Sequence, residues 1–180
     1  MAIEVEKKYR LTREQGDAVR RRLEEVGAEG EGSAEFEENT IYTGPGLDPR
    51  RRVLRLRRKG SRAFFTFKER EEGGSAIKRQ REDETEVSDA DALADILEAL
   101  GYRPALVYEK RRATWHVRGV EVVVDELPFG LFLEIEGAEP AILDAEKLLG
   151  LESALAEHAP YPELTLRHGT TRDGVLEARF

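Results

Sequence analysis

The chain contains no cysteine. Disulfides, thiolate metal sites and a cysteine nucleophile are therefore excluded. It also lacks any apolar run near the length of a membrane span, and its first residues carry no apolar signal core. A soluble, cytoplasmic protein with no membrane partner is the expectation. A surplus of positive charge is missing too: 29 Lys and Arg face 37 Asp and Glu, for a net charge of −8. General nucleic-acid binders carry a basic excess, so no nucleic-acid partner is expected, although a local basic pocket stays open.

What is abundant is charge of both signs. Charged residues are 37% of the chain and hydrophobic residues 39%. The charges are mixed rather than blocked by sign, which argues for a folded chain. A length of 180 residues suffices for one domain with a sizeable core. We expect a single domain over 1–180, with its core over about 2–150.

The opening segment, IEVEKKY, alternates as a half-buried strand should, with Glu4, Glu6 and Lys8 on one face. Thr12 then caps a helix, with Gln15 in capping-box position and Val19, Leu23 and Val26 as its apolar stripe. Strands are predicted over about 36–44, 52–60, 62–70 and 76–87. Ser88 is the expected cap of a second helix carrying Leu93, Ile96, Leu97 and Leu100. Strands over about 103–117, 120–127 and 131–137 follow, then a third helix from near Pro140. The tail from about Ser153 fits a short helix or turn and then a loose end. This pattern predicts an α+β fold: eight antiparallel strands curled into a closed barrel, with helices packed outside.

Period two decides which side chains share a face. Arg55 and Arg57 align, as do Thr66 and Lys68, and Lys110 and Arg112. Glu82 and Glu84 align with Lys78, Asp125 with Glu121, and Glu134 with Glu136. Taken singly, each is what an open sheet turns toward water. Taken together, the charges are sorted by strand and by sign. If the sheet closes, such faces line one interior and must be paired or ligated. Clustered carboxylates suit a hard divalent cation, Mg²⁺ or Mn²⁺. Clustered Arg and Lys suit phosphate oxygens. A metal-bound polyphosphate neutralises both clusters together.

These segments resemble the CYTH domain, or triphosphate tunnel metalloenzymes, which include class IV adenylate cyclases, thiamine triphosphatases and inorganic triphosphatases. The family hallmark Glu-x-Glu-x-Lys is matched by Glu4-Val5-Glu6-Lys7-Lys8. LRLRRKG, TFKE, YEKRR and VVVDELPFGLFLEIEG match as well, and the likeness covers about residues 2–150. It implies a closed tunnel with a hydrophilic interior. It also implies that Glu4, Glu6, Glu134 and Glu136 bind Mg²⁺ or Mn²⁺, and that Lys8, Arg55, Arg57, Lys68, Lys110 and Arg112 bind phosphates. Glu82 and Glu84 match acidic tunnel positions; Lys8, Lys110 and Asp125 are the candidate catalytic residues. One departure stands out. Where the family has a basic residue in register with the fifth-strand glutamates, this chain has Gln80, while Arg79 and Arg81 are one residue out of phase unless a bulge turns one inward.

The resemblance implies a metal-dependent enzyme acting on ATP, inorganic triphosphate or thiamine triphosphate. A class IV cyclase, making cyclic AMP and pyrophosphate from ATP, is placed first and a triphosphatase close behind. The alternatives are a module that binds polyphosphate or nucleotide without turnover, and a structural domain with solvated charged faces. Tyr108 is expected to pack, and His116 shares the Lys110–Arg112 face as a lesser proton-shuttle candidate. A homodimer is compatible with a small sheet protein of this kind.

Overall fold

A computed structural model describes residues 2–30, 32–70 and 77–180. The EEGG break and the first residue of the strand expected over 76–87 lie outside the described residues. The elements, in order, are β1 (Ala2–Leu11), α1 (Arg13–Glu25), β2 (Glu29–Gly30), β3 (Glu35–Thr43), β4 (Arg52–Lys59), β5 (Arg62–Arg70) and β6 (Lys78–Val87). They continue with α2 (Ala90–Ala99), β7 (Arg103–Val117), β8 (Val120–Leu127), β9 (Gly130–Glu136), α3 (Glu139–Leu148), β10 (Leu155–Ala156), α4 (Tyr161–His168), β11 (Thr170–Arg172) and β12 (Val175–Ala178).

The eight long strands run β7-β3-β4-β5-β6-β1-β9-β8, and β8 pairs back onto β7. All eight contacts are antiparallel, so the sheet closes into the expected barrel. The closing hairpin turns on Arg118 and Gly119, both at positive φ (49° and 79°), as tight two-residue hairpins require. That turn sets Arg112 opposite Asp125. No helix among the described residues is long and apolar enough to cross a membrane.

Alternation places two apolar cores on the barrel's outside. Val19 and Leu23 of α1, with Ile142 and Ala145 of α3, cover the outward residues Tyr9, Trp115, Val122, Val124, Leu133 and Ile135. Leu97 of α2 covers Tyr42, Leu54, Leu56 and Ala63. Thr12 caps α1 with the full capping box. The cap of α2 is Asp89 rather than Ser88: its carboxylate accepts from the N–H groups of Asp91 and Ala92, and as an anion it also suits the helix N-terminus.

The tail departs most from expectation. After the short helix α4 it is not loose. β12 pairs in parallel with β7, and β11 folds back on β12. Arg179 fastens this hairpin through Glu38 (2.6 Å), Glu109 (2.8 Å) and Glu177 (3.2 Å). A third apolar cluster follows from this, and it lies on inward-facing positions. Ile41, Leu106, Tyr108, Leu127 and Phe132 meet Ala159, Tyr161 and Leu164. One end of the barrel is thus filled by the chain itself, so the interior is hydrophilic over only part of its length.

Leu164 is 1% exposed at the centre of that filling. Leu164→Ala is expected to lower unfolding free energy by about 2–5 kcal/mol, read as a lower urea midpoint at unchanged slope.

Candidate functional site

The open part of the barrel encloses a cavity of about 310 Å³. Glu4, Glu6, Lys8, Arg55, Arg57, Lys68, Glu82, Glu84, Lys110, Arg112, Glu134 and Glu136 all line it. Asp125 does not reach the lining; it is fully buried behind Arg112.

The sheet order separates the charges. β6, β1, β9 and β8 are neighbours and bring the glutamates together as one wall, while β7, β4 and β5 bring most of the cations. Cross-strand register sharpens the acidic side. Glu6 stands opposite Glu136, and Glu136 opposite Glu121. Directly opposed like charges repel.

On the basic side each of the six predicted phosphate-binding cations lies near a carboxylate. Arg112 grips Asp125 through two bonds (2.7 and 2.5 Å) and reaches Glu134 at 2.7 Å. Lys110 lies 3.3 Å from Glu37 and 3.4 Å from Asp125. Arg57 bonds Glu84 at 2.8 Å, and Arg55 approaches the same carboxylate at 3.4 Å. Lys68 holds both Glu4 (2.9 Å) and Glu82 (2.7 Å). Lys8 meets Glu134 at 3.2 Å and donates to the carbonyl of Ala159 at 3.3 Å. The buried Nε donors of Arg55 and Arg57 have no hydrogen-bond partner among the described residues. Those two nitrogens are enclosed by protein atoms, unspent donors that solvent does not reach.

The titration behaviour follows this layout. Burial pushes the Glu4 and Glu6 carboxyls up, opposed by Lys68 at Glu4 and reinforced by Glu134 at Glu6. Burial together with Glu4 and Glu121 raises Glu136 to about 7, although it sits toward the rim. Glu134 goes the other way: burial is outweighed by Lys8, Arg112 and Lys110, and its carboxyl is held well below the usual range. Burial and the neighbouring Arg112 pull Lys110 down.

The four predicted metal ligands are therefore not equivalent. Glu4, Glu6 and Glu136 share a wall with more negative charge than its lysines offset. Glu134 is committed to Lys8 and Arg112. Among the described residues no group of three or more Asp, Glu or His stands gathered to hold a metal ion. The donor set still fits a hard divalent cation, because it is all carboxylate oxygen and its crowding is relieved by added positive charge.

Sequence reasoning left several lining or supporting residues out of the candidate site, among them Arg70, Glu37, Lys78 and Tyr161. Glu37 is 1% exposed, and although burial raises its pKa, Lys110, Arg112, Arg57 and Arg55 hold it at about 2. Its signal was the alternation of Glu37, Asn39 and Ile41, in phase with the β7 cations. Lys78, within the aligned fifth-strand set, lines the cavity 3.6 Å from Glu6. Tyr161 had no strand phase to reveal it. Gln80 does point inward, bonding Glu4 at 2.6 Å. No bulge rescues its neighbours: Arg79 pairs outside with Glu139 and Arg81 with Asp83. Tyr108 packs in the inner cluster. His116 lies beyond the cavity lining, exposed and 3.9 Å from Glu121.

With this geometry in place, comparison with known proteins decides the family. The CYTH domain matches residues 2–159. The chain belongs to the CYTH family. Structures of the same fold include the PH1012 protein of Pyrococcus horikoshii, 26% identical over 89% of this chain and 98% of that one, with a TM-score of 0.76. A Vibrio parahaemolyticus protein described as a candidate adenylate cyclase is 25% identical over 90% of this chain and 97% of that one, with a TM-score of 0.71. A Hippeastrum protein, described as a candidate adenylyl cyclase with a dominant triphosphatase activity, shares the fold at 16% identity. It covers 96% of this chain and 98% of that one, at a TM-score of 0.72. No curated protein matches the chain. CYTH triphosphate tunnel proteins are generally enzymes that depend on divalent metals. The CYTH match stops before α4, so the helix that fills the barrel's end lies outside it.

Because folded Glu136 keeps its proton to about pH 7 while an ordinary carboxyl releases it near 4.5, its contribution to stability falls as pH rises between these values. In metal-free protein, Glu136→Gln is expected to raise the melting temperature by about 2–4 °C at pH 8 and to leave it unchanged at pH 4. Calorimetric scans at the two pH values check the difference.

Proposed function

We propose that the protein is a divalent-metal-dependent enzyme that processes a triphosphate inside the barrel. The observation that carries this reading is a single small cavity with Arg55, Arg57, Lys68, Lys110, Arg112 and Lys8 on one side of its charge balance and an under-compensated Glu4–Glu6–Glu136 wall on the other. A phosphate chain satisfies the first set. Glu4, Glu6 and Glu136 would hold Mg²⁺ or Mn²⁺, which supplies charge neutralisation at phosphate oxygens and orientation of the nucleophile.

The chain's own side chains do the rest. Arg55 and Arg57 line the cavity and offer guanidinium N–H groups to phosphate oxygens. Arg112, fixed by Asp125, and Lys110, held between Asp125 and Glu37, keep their positions before substrate arrives, so little reorganisation is needed as charge develops. Asp125 acts behind this front, since it does not line the cavity. No covalent nucleophile is required; positioning and charge stabilisation supply most of phosphoryl transfer.

Hydrolysis of a triphosphate is the reading the geometry supports best. Water attacks a terminal phosphorus and the bridging P–O bond breaks; the diphosphate part leaves, the attacked phosphorus becomes orthophosphate, and the water's proton is released. A cavity of about 310 Å³ sits at the small end of ligand pockets. Its lining aromatic residues, Tyr108 and Tyr161, are both buried in the inner cluster, so neither offers a free face for stacking a purine. Cyclisation of ATP is the second reading, favoured by the likeness to the Vibrio protein described as a candidate adenylate cyclase.

Purified protein with Mg²⁺ or Mn²⁺, given inorganic triphosphate, thiamine triphosphate and ATP in parallel, tests both. Metal-dependent orthophosphate release from a triphosphate is expected, reduced about a hundredfold or more in the Glu4→Gln/Glu6→Gln double variant. Cyclic AMP with pyrophosphate would put the second reading first. Tight binding without any metal-dependent product would instead indicate a non-catalytic phosphate-binding module.

A further inference from the structure

We propose that Tyr161 is a positioning residue for the phosphate-gripping groups at the filled end of the cavity, supplied by the segment beyond the matched domain. The proposal rests on the reading of the cavity as a triphosphate site. Tyr161 opens α4 and is 6% exposed. Its ring packs edge-on against Phe132 (5.5 Å, 76°) and tilted against Tyr108 (6.0 Å, 51°), which fixes its plane.

Two different parts of the side chain then meet two different charged groups. The hydroxyl donates to Asp125 Oδ2 at 2.8 Å, the carboxylate that already orients Arg112. The ring face lies 4.0 Å from Lys8 Nζ and 5.5 Å from Lys110 Nζ. A plain apolar filler would need neither contact. The ring attracts the Lys8 ammonium through its quadrupole and consumes none of its three N–H donors. Those donors stay available to Glu134, the Ala159 carbonyl and an incoming phosphate oxygen. The hydroxyl in turn gives Asp125 a further fixed donor, so that Arg112 is held by a carboxylate that cannot swing. Burial and the neighbouring Asp125 raise the phenol pKa, which keeps the hydroxyl a donor.

The test uses the full chain with Tyr161→Leu, which loses ring and hydroxyl, and Tyr161→Phe, which loses the hydroxyl alone. Without substrate, the Lys8 ε-methylene protons should resonate upfield from the ring current in wild type and Tyr161→Phe. That displacement should vanish in Tyr161→Leu. With Mg²⁺ and a non-hydrolysable imido analogue of triphosphate, Tyr161→Leu should weaken binding about tenfold by calorimetry, but have little effect in a Lys8→Met background. An equal loss in both backgrounds, or no ring-current displacement in wild type, overturns the proposal. If Tyr161→Leu does not fold, Tyr161→Phe decides in the same way against Asp125→Asn: the two losses should overlap, and full additivity overturns it. A wild type that binds no triphosphate would sink the reading of the cavity, and the Lys8 resonance would then decide the positioning alone.

Discussion

The pairing of Arg112 with Asp125 is the constraint on which the interior depends. It sits on the seam where β8 returns to β7, so the bond that orders the site also spans the joint that closes the barrel. Asp125 is wholly buried, and such a charge is tenable only when compensated by hydrogen-bonded cations. Arg112 meets that need and, through the same guanidinium, holds Glu134 on the adjoining strand. Closure brings the cationic strand β7 against the acidic run β8–β9–β1–β6. An open sheet would leave those faces in water, where exposed ion pairs contribute little.

From that seam the charge balance becomes uneven around the ring. Near β7 each carboxylate is outnumbered by cations, and Glu37 and Glu134 are stabilised as anions. Around Glu4, Glu6 and Glu136 the reverse holds, and burial with mutual repulsion favours protons. A barrel that merely needed stability would be expected to even out this imbalance. Its persistence across neighbouring strands marks one side of the cavity as built for an anion and the other for a cation.

The barrel was legible because strands such as β4 and β9 alternate cleanly, Leu54 and Leu56 against Arg55 and Arg57, and Leu133 and Ile135 against Glu134 and Glu136. Period two gave the phase of Arg55, Arg57, Lys68, Lys110 and Arg112, and all line the cavity. The same rule put Gln80 inside and Arg79 and Arg81 outside, as observed. What alternation could not give was partnership. Nothing in the EIE segment says that Glu134 faces two cations while Glu136 faces two glutamates; that depends on which strands become neighbours. The tail was opaque for a related reason. β12 is only four residues long, and Tyr161 lies on a short helix whose polar and apolar residues have no partner until the barrel exists.

The placement of β1 carries a consequence for how the chain comes to be folded at all. β1 is made before every strand it pairs with: β6 over residues 78–82, β9 over 131–136 and β10 over 155–156. None of these neighbours exists when β1 leaves the ribosome. Its two opposed edges and its row of glutamates must stay unpaired until most of the polypeptide has been made. Contacts this distant in sequence slow folding and lengthen the time spent with open strand edges. The charged residues of β1, Glu4 and Glu6 with Lys7, Lys8 and Arg10, also hinder premature edge-to-edge pairing of nascent chains. One set of charges thus serves the chain twice, first as a guard against association and afterwards, through Glu4, Glu6 and Lys8, as part of the cavity wall.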